Sequence, residues 1–254
     1  MRQAPCSPGD VLALAWAIET YDSVLSTQDI VKGLAELGQS EGKVVQALEQ
    51  TGGRGRHGRQ WISDKGNLYL SVLLRPTCQA RHIGQLSILV AVALADTIRA
   101  QLKDPDVLML KWPNDVLIGD QKCAGILIET ALSDGGSIEY AAVGVGVNLA
   151  SAPPQIGVAL NGYAKKPLKT DKFRDEFLKN LNKTYALWSQ EGFEDIKERW
   201  LQMAHKKGTN LRIRIGVQVE TGLFYGIDDD GNLLLYDRDL RQKKVTAGEV
   251  YLIN

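Results

Sequence analysis

Two periodicities run along this chain, and the change from one to the other divides it. Residues 11–18, "VLALAWAI", are an apolar run that predicts a first strand. Ser26 and Thr27 then offer hydroxyls suited to a helix N-cap, and Ile30, Val31, Leu34 and Leu37 follow at helical spacing up to Gly38. Residues 43–48 predict a strand leading into a glycine- and arginine-rich loop. "LYLSVLL", Leu68–Leu74, predicts another that stops before Pro76. The longest apolar segment, residues 84–102, contains Asp96 and Arg99 and is short for a bilayer span, so it reads as a buried core helix. Strands are predicted at 107–111, 124–128 and 140–147, with a hairpin-like turn "IGDQK" at 118–122.

Beyond Asn148 the texture changes. "SAPPQIG" is a proline-containing loop, and residues 171–188 place Phe173, Phe177, Leu178, Leu181 and Trp188 on one helical stripe. A second helical run covers Glu194–Met203. From Leu211 the apolar period becomes two: "LRIRIGVQVE", "GLFYGI", the tight "DDDGN" turn, "LLLY" and "GEVYLI". The expected organisation is an α/β domain over residues 1–207 and a small β-barrel over 208–254.

Composition narrows the function classes. The 30 basic and 30 acidic residues cancel, which argues against binding driven by bulk attraction to nucleic acid. Cys6, Cys78 and Cys123 are too few and too scattered for a disulfide framework or a zinc site, and read as buried thiols. The N-terminus shows no secretory signal pattern, so a cytoplasmic protein with no membrane association is expected.

The loop "QTGGRGRHGRQW" carries the most chemistry. Gly53, Gly55 and Gly58 spell the dinucleotide fingerprint, but no helical periodicity follows Gly58, and no carboxylate stands about 20 positions on, where that fold needs one. Gly53 and Gly58 also have P-loop spacing, yet Arg59-Gln60 supplies neither the lysine nor the hydroxyl of that motif. One arginine cluster on a neutral chain is weak support for an RNA site. What remains is an anion clamp. Glycines let the backbone approach a ligand, and the arginines pair with carboxylate or phosphate.

Three further motifs belong with it. "KWPNDV" sets Lys111, Asn114 and Asp115 around a rigid Trp-Pro step at a strand end. "KCAGILIE" begins with Lys122 and puts Gly125 in an apolar strand, a mark of close backbone approach. "VGVGVN" leaves one strand face bare and ends at Asn148. Together with "NLYLSVLLRP" and the terminal "GEVYLI", these motifs stand in the order found in biotin protein ligases, and the chain resembles that family over nearly its whole length.

The resemblance implies a catalytic domain of the biotin/lipoate ligase type followed by an SH3-like domain. It implies two steps: biotin and ATP form biotinyl-5′-AMP and pyrophosphate, and the biotinyl group then passes to a lysine of a biotin carboxyl carrier protein. Mg²⁺ is the expected companion of ATP. By the same resemblance, Ser26, Thr27 and Gln50 surround the ureido ring, with backbone from Gly53 and Gly125. Arg54 and Arg56 cover biotin and the acyl-phosphate link, and Lys122 stands beside the biotin carboxylate. Lys111 supports the phosphates, Arg59 lies near the nucleotide phosphate, Trp61 packs on adenine and Asn148 reaches the nucleotide. Asn114 and Asp115 match positions associated with ATP and its metal, and Asp115 is also a candidate to deprotonate the acceptor lysine.

Two positions depart from the family pattern: Gln28 replaces the usual asparagine after Ser-Thr, and His57 stands where arginine is frequent. Some relatives carry an N-terminal helix-turn-helix domain. Only 25 residues precede Ser26, so no sequence-specific DNA binding is expected. Some relatives dimerise, and a homodimer through an exposed strand edge such as the one ending at Asn148 is expected by analogy. The rival readings are a lipoate or octanoate ligase on the same fold, and a non-catalytic biotin- or RNA-binding module.

Overall fold

The structure, a computed structural model, describes residues 14–252. Cys6 and residues 11–13 of the first expected strand lie outside them. The catalytic part runs β1 (Ala17–Tyr21), α1 (Thr27–Glu36), β2 (Lys43–Ala47), β3 (Leu68–Leu74), α2 (Ile83–Gln101), β4 (Leu108–Lys111), β5 (Asp115–Ile118), β6 (Gln121–Leu132) and β7 (Ile138–Val147). Two helices follow, α3 (Thr170–Glu191) and α4 (Glu194–Met203). The remainder is β8 (Asn210–Ile215), β9 (Gln218–Ile227), β10 (Leu233–Tyr236), β11 (Gln242–Val245) and β12 (Glu249–Leu252).

The first seven strands form one sheet in the order β1-β2-β3-β7-β6-β5-β4; the last five form a second, β11-β10-β9-β8-β12. β1 and β2 are parallel, and every other pairing is antiparallel. The strand ending at Asn148 is therefore not an edge. β7 is hydrogen-bonded to β3 on one side and β6 on the other, which uses up its ladder groups, so the expected dimer cannot form there. The large sheet's edges are β1 and β4.

Side-chain alternation assigns the two faces of this sheet. Leu68, Leu70, Val72 and Leu74 of β3 join Val143, Val145 and Val147 of β7 in a core with α2 and α3. The apolar segment expected to be a core helix is α2, and Leu86, Leu89, Val90 and Leu94 are fully buried in that core. Each such side chain contributes about 1.5–3 kcal/mol by leaving water. On the opposite face Val31 and Ala35 of α1 cover Val45, Leu73 and Tyr140. Beside α1 this face carries Ser71, Gly144 and Gly146, so it is polar and bare where the first is oily.

Elsewhere the pattern needed adjustment. β5, buried along "VLI", is too short to show a period, and Gly119 at φ 57° turns it into β6 within two residues. β6 extends well past 124–128 in both directions, and the first strand is displaced to Ala17–Tyr21. "LRIRIGVQVE" breaks at Gly216, φ 60°, into β8 and β9, and the polar β11, "QKKV", has no apolar signal to betray it. Ser26 does stand at the N-cap of α1 with extended backbone, but its side chain makes no capping bond. Cys78 and Cys123 are buried, and burial pushes the Cys123 thiol up to about 12.

Candidate active site

The glycine-arginine loop crosses the bare face of the large sheet. No helix follows Gly58: a single 3-10 turn at Arg56–Gly58 gives way to extended backbone at Arg59, φ −69° and ψ 143°. The dinucleotide and P-loop readings therefore fail on structure as they did on sequence. The loop doubles back on itself, with Trp61 N–H donating to Gly53 O at 2.9 Å and Gly55 N–H to Arg59 O at 2.7 Å. A Cβ on Gly53 would lie 2.5 Å from both Trp61 O and Ser63 Oγ, so that turn requires glycine.

This fold-back lays the Trp61 indole on the sheet. Gly125 of β6 and Gly146 of β7 are direct partners across the ladder. A Cβ on Gly146 would stand 2.5 Å from the indole, and one on Gly125 2.9 Å. The two glycines are thus the floor on which the ring rests, as the alternation in "VGVGVN" implied. Lys122 Nζ lies 5.1 Å from the ring centroid, within cation–π range.

The charged centre is built by the β4–β5 and β5–β6 hairpins. Lys111 and Asp115 face each other as register partners, and the second hairpin brings Lys122 alongside. Asp115 Oδ1 is 2.5 Å from Lys122 Nζ and Oδ2 is 3.3 Å from Lys111 Nζ. The Lys122 contact is a charge contact rather than an aligned hydrogen bond, because among the described residues Oδ1 has no partner in hydrogen-bonding geometry. Two ammonium groups against one carboxylate leave a net positive charge at the floor of a cleft of about 410 Å³.

The three loop arginines have different partners. Arg54 forks onto Asp29 at 2.6 and 3.0 Å and reaches Glu129 at 3.3 Å. Arg59 meets Glu249 of the small domain at 2.5 Å. Tyr251 also donates to Glu249 Oε2, at 2.6 Å. Burial opposes ionisation of that carboxyl, but the Tyr251 hydroxyl and Arg59 together hold it below the usual glutamate range. Among the described residues Arg56 donates only to neutral oxygens, Gly248 O at 3.3 Å and Asn114 Oδ1 at 3.5 Å. Burial lowers its pKa, with Asp115 and Glu249 opposing, so its charge lacks a close counter-ion among the described residues.

Of the residues expected from the sequence, Ser26, Thr27 and Gln50 line one end of this cleft. Arg54, Arg56, Arg59 and Trp61 roof it, and Lys111, Asn114, Asp115, Lys122 and Gly125 form its wall and floor. Gly53 and Asn148 stand outside the lining. Gly53 makes the loop turn, and Asn148 Nδ2 donates to Lys122 O at 3.4 Å, bracing that strand. Ser71, Gln28 and Glu249 also line the cleft and were not assigned ligand roles from sequence. Ser71 had left a signal, as the one small polar residue in the apolar run of β3. Glu249 stands in the quoted "GEVYLI", where nothing local links it to the distant loop.

A mixed sheet with a glycine floor, a lysine pair around one carboxylate and an arginine-bearing roof gives the cleft the charge to hold an anionic ligand. The Biotin/lipoate A/B protein ligase family model matches residues 21–148, and that of the Biotin protein ligase C terminal domain matches 210–253. The chain is 38% identical over 222 residues to the biotin--[acetyl-CoA-carboxylase] ligase of Paracoccus denitrificans, covering 82% of this chain and 89% of that one. It is 33% identical to the bifunctional ligase/repressor BirA of Bacillus subtilis, covering 91% of this chain and 73% of the other. The biotin protein ligase of Aquifex aeolicus, solved in complex with biotin and ATP, superposes with a TM-score of 0.78 at 26% identity, covering 93% and 98% of the two chains. The chain belongs to the biotin/lipoate protein ligase family, with the C-terminal domain typical of its biotin protein ligases.

Proposed function

We propose that this protein is an ATP-dependent biotin protein ligase, and that the convergence of Lys111 and Lys122 on Asp115 beside the Trp61-covered floor carries its chemistry. The names of its relatives favour biotin over lipoate. A carboxylate oxygen of biotin attacks the α-phosphorus of ATP; the new P–O bond forms as the bond to pyrophosphate breaks. Both partners are anions, so fixed cations aimed at the meeting point lower the barrier. Lys122, at the floor beside Gly125, would hold the carboxylate. Arg56 would close on the anhydride, because it is the loop arginine without a carboxylate partner among the described residues. Lys111 would take the phosphates, Arg59 and Asn114 the nucleotide side, and Trp61 the adenine.

The acceptor amine of a biotin carboxyl carrier protein then attacks the acyl carbon and AMP leaves. Asp115 would take the amine's proton. Its carboxylate is shared by two lysines, and among the described residues no three metal-ligating side chains cluster. Asp115 would be the protein carboxylate that helps to hold Mg²⁺ beside the ATP phosphates. Mg²⁺ would supply further neutralisation of phosphate charge. We also propose the division into a catalytic domain of residues 1–207 and a small domain of 208–254, which the separate five-stranded sheet supports.

The test is direct. Incubation with MgATP and either biotin or lipoate should release pyrophosphate with biotin, and a carrier domain added to the mixture should gain the mass of one biotinyl group. Turnover with lipoate alone would replace this reading by its nearest rival.

A further inference from the structure

We infer that Tyr251 of the small domain is a positioning residue for ATP: its hydroxyl fixes the Glu249 carboxylate, and that carboxylate aims Arg59 at the nucleotide's phosphates. The inference deepens the proposed function and rests on it, because only that reading gives Arg59 to the nucleotide.

The arrangement begins in the alternation of β12. Glu249 and Tyr251 are two residues apart, so their side chains share one face of the strand, while Val250 between them is buried. Both residues line the cleft. Directly opposite Glu249 in the ladder stands Arg214, the partner that a cross-strand carboxylate ordinarily takes. Arg214 instead donates to Gly216 O at 3.2 Å, and Glu249 is engaged along its own strand by Tyr251. The Tyr251 hydroxyl donates to Glu249 Oε2 at 2.6 Å, and Arg59 Nη2 meets the same oxygen at 2.5 Å.

The members of this trio are not equally free. The Glu249 side chain is 16% exposed and that of Arg59 60%. An ion pair with so exposed an arginine adds little to stability, so fastening the loop to the small domain is not what it accomplishes. Strand, hydroxyl and carboxylate are the fixed part, and the arginine is the mobile part that they orient. A single guanidinium nitrogen, Nη2, reaches the carboxylate, whereas Arg54 gives two to Asp29. N–H donors of Arg59 therefore remain for an anion in the cleft. Without the tyrosine hydroxyl, Glu249 would be held by Arg59 alone, and the pair would swing together.

The Tyr251 ring also lies 6.0 Å from Lys111 Nζ, at the outer limit of a cation–π contact. Tyr251→Phe keeps that ring and removes only the hydroxyl, so it isolates the proposed role from any effect on Lys111.

The experiment measures initial rates of pyrophosphate release for wild type, Tyr251→Phe, Arg59→Ala and the double variant, varying MgATP and biotin in turn. Tyr251→Phe should raise KM for ATP about fivefold, with kcat and KM for biotin within about twofold of wild type. Arg59→Ala should raise KM for ATP at least about tenfold. The double variant should match Arg59→Ala within about twofold, because the hydroxyl acts only through that arginine. Melting temperatures of the Tyr251→Phe and wild-type proteins should coincide. A folded Tyr251→Phe with an unchanged KM for ATP overturns the inference, as does an Arg59→Ala with an unchanged one. Additive losses in the double variant, or KM values for ATP and biotin that rise together as the melting temperature falls, overturn it as well. A wild type that turns over no ATP with biotin overturns the ligase reading itself.

Discussion

Trp112 donates its indole N–H to the carbonyl oxygen of Gly231 at 2.9 Å, so a turn of the small domain holds the loop carrying Lys111, Asn114 and Asp115. The same "DDDGN" turn is set into the start of α2, where Gln85 Nε2 donates to Asp229 O at 2.5 Å. A Cβ on Gly84 would sit 2.5 Å from Asp230 O, and Gly231 has φ 82° with its own Cβ position 2.8 Å from Gly84 C. Gly84→Ala should therefore separate the two domains locally, at a cost of about 1–3 kcal/mol. Adenylate formation should fall with it, as the Trp112 loop loses its support. Thermal melting together with pyrophosphate release checks both, and a variant active and stable as wild type would show that the docking is not needed.

The charge arrangement ranks the cations. Lys122→Ala should slow adenylate formation by about 10²–10³-fold, the range for losing one donor aimed at developing charge. Arg56→Ala should cost more than Arg54→Ala or Arg59→Ala, because the latter two already spend their charge on Asp29 and Glu249. Single-turnover rates for the four variants give the order directly; equal effects of the three arginines would refute it.

Gly146 supplies a test of the floor. Gly146→Ala drives a methyl into the Trp61 ring, which is a side chain on a loop and can be displaced. The expected result is a loss of about ten- to hundredfold in ligand affinity with little change in melting temperature. Gly162→Ala is the control, since its Cβ would meet nothing within 4 Å.

Stability should depend on pH through His205. Its ring lies buried between α4 and β8, 6.2 Å from the Phe224 ring, and its Nε2 has no hydrogen-bond partner among the described residues. Burial first, then the charge of Lys111, push its pKa below the ordinary 6.5, with Asp120 opposing. In the unfolded chain the imidazole takes up a proton more readily than in the fold. Stability is therefore complete above the unfolded pKa and declines as pH falls below about 6.5. Denaturation midpoints at about pH 7.5 and about pH 5.5 should differ for wild type and converge for His205→Gln.

Much of this molecule is written in short-range pattern. The helix beginning at Thr27, the all-buried strand "LYLSVLL", the core helix and the switch to period two after Leu211 follow from how side chains alternate along local backbone, and all four lie close to where the pattern puts them. The motif residues were legible too, because a glycine between valines or a lysine beside a tight turn is unusual in any context. The boundaries of β1 and β6, and the existence of β5 and β11, were not: a four-residue strand is stabilised by its neighbours in the sheet, and its own sequence need carry no period.

Long-range pairing is the other half. No local pattern reveals that β7 lies inside the sheet, that Gly125 stands opposite Gly146, or that Glu249 reaches across 190 residues to Arg59. Those relations depend on sheet order and domain docking, which follow from the burial of many side chains at once.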